Sequence, residues 1–264
     1  MQYFVTIEDN VYFHWQIELL IESFNMANMQ DDLHILLMPS MEENYANFYP
    51  HNLVNHKNKT SVKNPNWGKN NCLYGVLVAL KNNVLKPPFV LLHSDMVLLE
   101  PLKITSEAHI AFHPAPYKEN IPKLLKKNEG TWLHFGDAMY FSKDIPISFF
   151  EKSIFFAQNT KKTVQEDSFR AGMSLAFANI GNLSIERRFM EVSLMHTHLN
   201  ANFIHYRNGL PPDFSKQQFK REKNKFNFSF KEETPFDLLE SINPNPVTNR
   251  MQEIIASYKK NNPK

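Results

Sequence analysis

The chain has 264 residues, of which 42% are hydrophobic, 21% charged and 13% aromatic, with a formal net charge of +2. That length builds one large domain or two small ones around a real core. Seven Gly and 16 Pro exclude a collagen-like or low-complexity chain, 22 Phe exclude intrinsic disorder, and a single cysteine, Cys72, excludes an intrachain disulfide framework or a multi-Cys zinc site. A pI near 8.4 is mildly basic and neither requires nor excludes nucleic acid. No run approaches the roughly 18 apolar residues of a membrane span. The opening MQYFVTIEDN lacks a basic leader and enters a strand pattern at once. These features, with one cysteine, predict a soluble cytoplasmic protein in a reducing compartment with no membrane partner.

Tyr3 to Ile7 is a β-rich run closed by Glu8-Asp9-Asn10. A helix is predicted from about Phe13 to Met29, with Trp15, Leu19, Leu20, Ile21, Phe24 and Met26 at spacings that include helical steps. Leu33 to Met38 is a second strand, so a βαβ crossover is complete within forty residues. Residues 40 to 66 are polar and rich in Asn and Lys, and read as a long loop. A helix over Trp67 to Lys81 leads to Pro87-Pro88 and a strand over Phe89 to His93, after which the apolar run resumes at Met96 to Leu99. Strands follow at His109 to His113 and Ala138 to Phe141, helices at Ser148 to Gln158 and Asp167 to Ala178, a short strand at Phe203 to Tyr206 and a last helix at Val247 to Tyr258. This order predicts an α/β fold, a Rossmann-type, mostly parallel central sheet flanked by helices. Ligands of such sheets sit beyond the carboxyl ends of the strands, which here carry Glu8-Asp9, Ser40 and His93-Ser94-Asp95.

Among these, FVLLHSDMVLLEPL (89 to 102) is the most specific local feature. An acid isolated between two apolar strands is costly to bury unless it is paired or binds a cation. Asp95 therefore either caps a turn or holds a metal. His196-Thr197-His198 face one side only if that stretch is a strand, and read as a polar edge. There is no Gly-x-Gly-x-x-Gly and no phosphate loop, which disfavours dinucleotide dehydrogenases and P-loop NTPases.

The His93-Ser94-Asp95 turn resembles the metal-binding turn of GT-A-type nucleotide-sugar glycosyltransferases, with His93 where the first acid usually stands. Several further blocks, in order, resemble the hydroxyproline O-arabinosyltransferase family and its phage DNA-modifying relatives: Asp9, Tyr12, Trp15 and Gln16 at the first strand-to-helix turn; Asn64-Pro65-Asn66-Trp67 ahead of a helix; GDAMYFSKD (136 to 144), which includes Asp137; Glu166-Asp167 at a helix start; and Asn202-Phe203-Ile204-His205-Tyr206. The blocks span most of residues 3 to 214.

The resemblance implies a GT-A-like catalytic domain over residues 1–210, with a basic, aromatic segment and a final helix over 211–264 packed on it. It implies Asp95 and His205 as ligands of Mn²⁺ or Mg²⁺, and a UDP-sugar donor held by Thr6, Asp9, Trp15, Gln16, Asn64, Trp67, His93, Ser94 and Asp137. Two of these have plain alternatives, a helix cap for Asp9 and a core anchor for Trp15. Asp167, or Glu166 beside it, would face the acceptor hydroxyl. The sugar implied is a pentose such as arabinose. With no leader visible, the acceptor is expected in the cytosol. Lys220, Arg221 and Lys223, set among Phe residues in the 211–231 run, point to an anionic polymer such as hydroxymethylated phage DNA. The rival reading is a non-catalytic scaffold of the same fold that binds nucleic acid or a protein partner through that run.

Overall fold

The computed structural model describes residues 1–40, 50–62, 71–104, 107–114, 133, 135–159, 168–206, 235–240 and 242–263. Asn64, Trp67, Glu166, Asp167, Lys220, Arg221 and Lys223 lie outside them. Among the described residues the strands are β1 (Gln2–Glu8), β2 (Leu33–Met38), β3 (Lys59–Ser61), β4 (Phe89–Leu92), β5 (Met96–Leu98), β6 (Ile110–Pro114), β7 (Phe135–Phe141), β8 (Ile185–Arg187), β9 (Glu191–Val192) and β10 (Phe203–His205). The helices are α1 (Val11–Met26), α2 (His51–Asn55), α3 (Asn71–Lys81), α4 (Ile147–Asn159), α5 (Ser168–Ile180), α6 (Pro235–Glu240) and α7 (Pro246–Asn261). Among the described residues no helix is long and apolar enough to cross a membrane.

Seven strands form the central sheet in the order β3-β2-β1-β4-β7-β6-β8, and only β7 runs against the rest. β1 shows why the sheet is covered on both faces. Tyr3, Val5 and Ile7 pack beneath α1 with Ile17, Leu20 and Phe24, while Phe4 faces the opposite way into a cluster with Leu73, Val76, Phe149, Phe150 and Met173 of α3, α4 and α5. Gly75 brings α3 close to β1, since a Cβ there would overlap the Thr6 side chain. A second, three-stranded sheet, β5-β10-β9, continues directly from the central one, because the chain leaves β4 through residues 93–95 and enters β5.

Two elements arise inside the stretch read as a loop: α2 and β3. Pro50 gives α2 no side-chain cap. Glu18 of α1 does so instead, accepting the backbone N–H of Asn52 at 2.9 Å and of Leu53 at 2.8 Å. One turn along, Glu22 accepts from Asn52 Nδ2, and from Ser257 Oγ and Asn261 Nδ2 of α7 at 2.6 and 2.9 Å. Both carboxylates are buried. The last helix is thereby tied to the first, and its Val247, Met251, Ile254 and Ile255 pack with Trp15 and Leu19.

Burial pushes Glu18 up to about 7, against the pull of the two backbone donors and Tyr258. A raised carboxyl pKa means the folded chain holds this proton more tightly than the unfolded one. The stabilisation is full at pH below about 4.3 and is lost as pH rises through about 7. Glu18→Gln cannot lose a proton. The urea midpoint of wild type relative to Glu18→Gln is therefore expected to fall between pH 5 and pH 8. A difference independent of pH would place the titration elsewhere.

Candidate functional site

The carboxyl ends of the parallel strands share one rim with the start of β7. Along it, in sheet order, stand Asp9 after β1, Asp95 after β4, Asp137 at the head of β7, His113 at the end of β6 and Phe189 just past β8. His205 joins this row from the second sheet. β10 pairs antiparallel with β5 so that His205 lies opposite Met96, and the Tyr206 N–H donates to the Asp95 carbonyl at 3.2 Å. A strand 110 residues downstream in sequence is thus laid along the turn that carries the isolated acid.

Asp95 and His205 are both fully buried and face each other, with Asp95 Oδ1 and His205 Nε2 3.2 Å apart. The His93 Nδ1 lies 3.2 Å from the same carboxylate oxygen. On its other side His205 Nδ1 is 3.0 Å from Glu191 Oε2 and 3.6 Å from Asp137 Oδ2. Arg170 of α5 clamps the head of β7, its Nη2 donating to Asp137 Oδ1 at 2.9 Å and its Nε to the Phe135 carbonyl at 2.6 Å.

Charge explains the protonation of this cluster. Burial disfavours an imidazolium, but Asp95, Glu191 and Asp137 outweigh it and hold His205 up at about 10. Burial likewise raises Asp137, and His93, His205 and Arg170 overcome it, so its carboxyl sits below the usual range. Cys72 goes the other way. Burial, with the Asp137 charge, pushes the thiol of this partly buried residue up to about 12.

Ligand atoms of Asp137, Glu191 and His205 lie within 4.8 Å of one another, close enough to hold one metal ion. Carboxylate oxygens with one imidazole suit Mg²⁺ or Mn²⁺, and the buried acids are compensated here by a protonated His in a place where a cation would serve equally. Glu191, however, is arranged as an orienting group. Its Oε1 accepts the N–H of Asp137 and of Ala138 at 3.1 and 2.6 Å, and its Oε2 faces His205 Nδ1. With Glu191 on the Nδ1 side, the Nε2 side of the ring faces Asp95.

The donor residues expected from sequence part company. Asp9 is exposed at the rim, paired to His14 Nε2 at 2.8 Å. It does not cap α1; Asn10 does, accepting from the Phe13 N–H. Trp15 is a core side chain against Tyr206 and Phe236. Gln16 and Ser94 are buried and bonded to each other at 2.7 Å, with Gln16 Nε2 donating to the Tyr12 carbonyl. They lock the Asp95 turn onto α1. The Thr6 hydroxyl is buried under α3. Glu191, Arg170 and His113 were not singled out from the sequence. Glu191 stands in a two-residue strand in the polar run RRFMEVS, and nothing local marks it as buried.

The sequence matches no known protein-family profile and no curated protein. Solved structures do match. The galactosyltransferase LgtC, in complex with donor and acceptor sugar analogs, superposes with a TM-score of 0.54 at 10% identity, over 97% of this chain and 96% of that one. The bifunctional glycosyltransferase WbbM superposes with a TM-score of 0.51 at 10% identity, over 96% of this chain and 51% of that one. This chain has the GT-A glycosyltransferase fold.

If Glu191 orients His205, Glu191→Gln should weaken Mn²⁺ binding about 10- to 100-fold, read by titration calorimetry or Mn²⁺ EPR on protein shown to be folded. Unaltered Mn²⁺ affinity would make Glu191 a purely structural clamp on β7.

Proposed function

We propose that the chain is an enzyme that transfers a glycosyl group from a nucleotide-diphosphate sugar, UDP-linked, to a hydroxyl acceptor. The observation that carries this is the convergence of Asp95 and His205 at the strand-end rim of a GT-A fold, beside Asp137 and His93. A scaffold that only bound a partner through the 211–231 run would have no need of buried carboxylates around an imidazole, an arrangement costly to maintain without a charged ligand.

In this reading the exposed Asp9 receives the nucleotide at the end of β1. Asp95 and His205 hold the divalent ion, Mn²⁺ or Mg²⁺, with Asp137 and His93 beside them. When bound, that ion offsets the charge on the departing diphosphate. Glu191 keeps the His205 ring in register, and Arg170 holds the Asp137 carboxylate ionised and aimed. The acid that faces the acceptor hydroxyl is Asp167, or Glu166 beside it, a role that rests on the family resemblance. So do the finer forms of the proposal: a pentose donor, a cytosolic setting, and the hydroxymethylated DNA suggested by Lys220, Arg221 and Lys223.

The test is a panel of UDP-sugars with Mn²⁺, measuring released UDP. At least one donor is expected to turn over, and Asp95→Asn, in preparations shown by circular dichroism to be folded, should lower that rate by about 100-fold or more. Asp9→Ala should weaken UDP binding without altering which sugar is released. No UDP release from any donor, or full activity of Asp95→Asn, would overturn the assignment.

A further inference from the structure

Beyond the ion site, the rim continues to β6 and β8, where the structure gathers side chains that the donor chemistry does not use. Phe189 lies just past β8 and is 49% exposed, where most of the large aromatics among the described residues are buried. Its ring is 5.2 Å from that of His113, 6.4 Å from His196 and 6.2 Å from His198, and the last two are 5.5 Å apart. Met195, 74% exposed, and Leu199 extend the apolar surface along the same loop.

This group is built into the site. His113 Nδ1 accepts the backbone N–H of Met190 and of Glu191 at 3.2 and 3.3 Å, so it is fixed to the residue that orients His205. His196 Nδ1 accepts the Ser193 N–H at 2.9 Å. An imidazole whose Nδ1 accepts must carry its proton on Nε2. Two rings beside Phe189 therefore have a fixed tautomer with a donor N–H, and His198 adds a third imidazole.

Resting on the glycosyl-transfer reading, we infer that Phe189 with His113, His196 and His198 is the acceptor subsite, and that it takes an uncharged sugar ring in place of the hydroxymethylated DNA drawn from the resemblance. The sheet order supplies the direction. The nucleotide is assigned to the β1 end and the diphosphate to β4 and β7, so the transferred group points on toward β6 and β8. The chemistry supplies the class. A pyranose has one face of C–H groups and a rim of hydroxyls, which matches a phenyl ring bordered by imidazole N–H donors. A polyanion would call for several available cations. Among the described residues here, Arg188 is engaged by the Lys103 carbonyl and lies 3.9 Å from Glu186, and Arg187 is the exposed cation on this strand.

Saturation-transfer NMR on the full chain with UDP and Mn²⁺ tests this, using lactose, maltose and cellobiose as probes beside a single-stranded oligonucleotide containing 5-hydroxymethylcytosine. At least one disaccharide should receive saturation on its ring C–H protons. Phe189→Ala should weaken that disaccharide about fivefold, Phe189→Trp should retain it, and UDP affinity should be unchanged in both. Should Phe189→Ala lower the melting temperature, the exposed His198→Ala replaces it, with the same loss expected. The inference is overturned if no disaccharide binds, if binding is indifferent to both substitutions, or if the oligonucleotide alone responds to them. Disaccharide binding that depends on Phe189 in a chain with no affinity for UDP would leave the subsite standing and remove the donor assignment instead.

Discussion

One imidazole, buried between carboxylates, organises this molecule. His205 faces Asp95 through one nitrogen and Glu191 and Asp137 through the other, at 3.0 to 3.6 Å. A neutral ring there would leave three acids inside the protein with only partial compensation, which the low interior dielectric penalises heavily. The ring is therefore charged, or a metal ion takes over its charge. Either way the three acids come from three separate stretches of chain, and none is tolerable without the other elements in place.

The second sheet exists to satisfy that constraint. β5 continues the turn that carries Asp95, β10 carries His205, and β9 carries Glu191, so the three-stranded sheet brings most of the site to Asp137 on the central sheet. Glu191 goes further and joins the two sheets, because its carboxylate accepts two backbone N–H groups at the head of β7. The antiparallel strand of the central sheet is in this way anchored at its start by a side chain from the other sheet.

Much of this was legible in the sequence, and the boundary has a physical cause. β1, α1 and β2 fell almost where their apolar runs placed them, because strands buried on both faces leave unbroken hydrophobic stretches bounded by polar turns. Asp95 was visible for the same reason, an acid interrupting such a stretch. α2 and β3 were not. The sequence around them is polar, and the helix depends on Glu18, more than thirty residues away, for its capping. Trp15 and Gln16 were visible, and the same helix that begins at the rim carries both into the core. Glu191 was invisible, since its burial comes from pairing with β10 and its role from partners 14 and more than 50 residues distant.

The tie between the first and last helices has a consequence for how the chain is made. Asn261 reaches Glu22 across 239 residues, and Ser257 across 235. A growing chain emerges from its amino end, so α1 is synthesised long before the groups that complete its polar face. Until α7 arrives, Glu22 lacks two of its donors, and Trp15 and Leu19 lack the apolar cover they have in the finished protein. Contacts of such long range are slow to form, because a large loop must close before they contribute. The nascent protein therefore passes through an interval in which its central sheet can assemble while one side of α1 remains uncovered, and that uncovered helix is where chaperones or premature association would act.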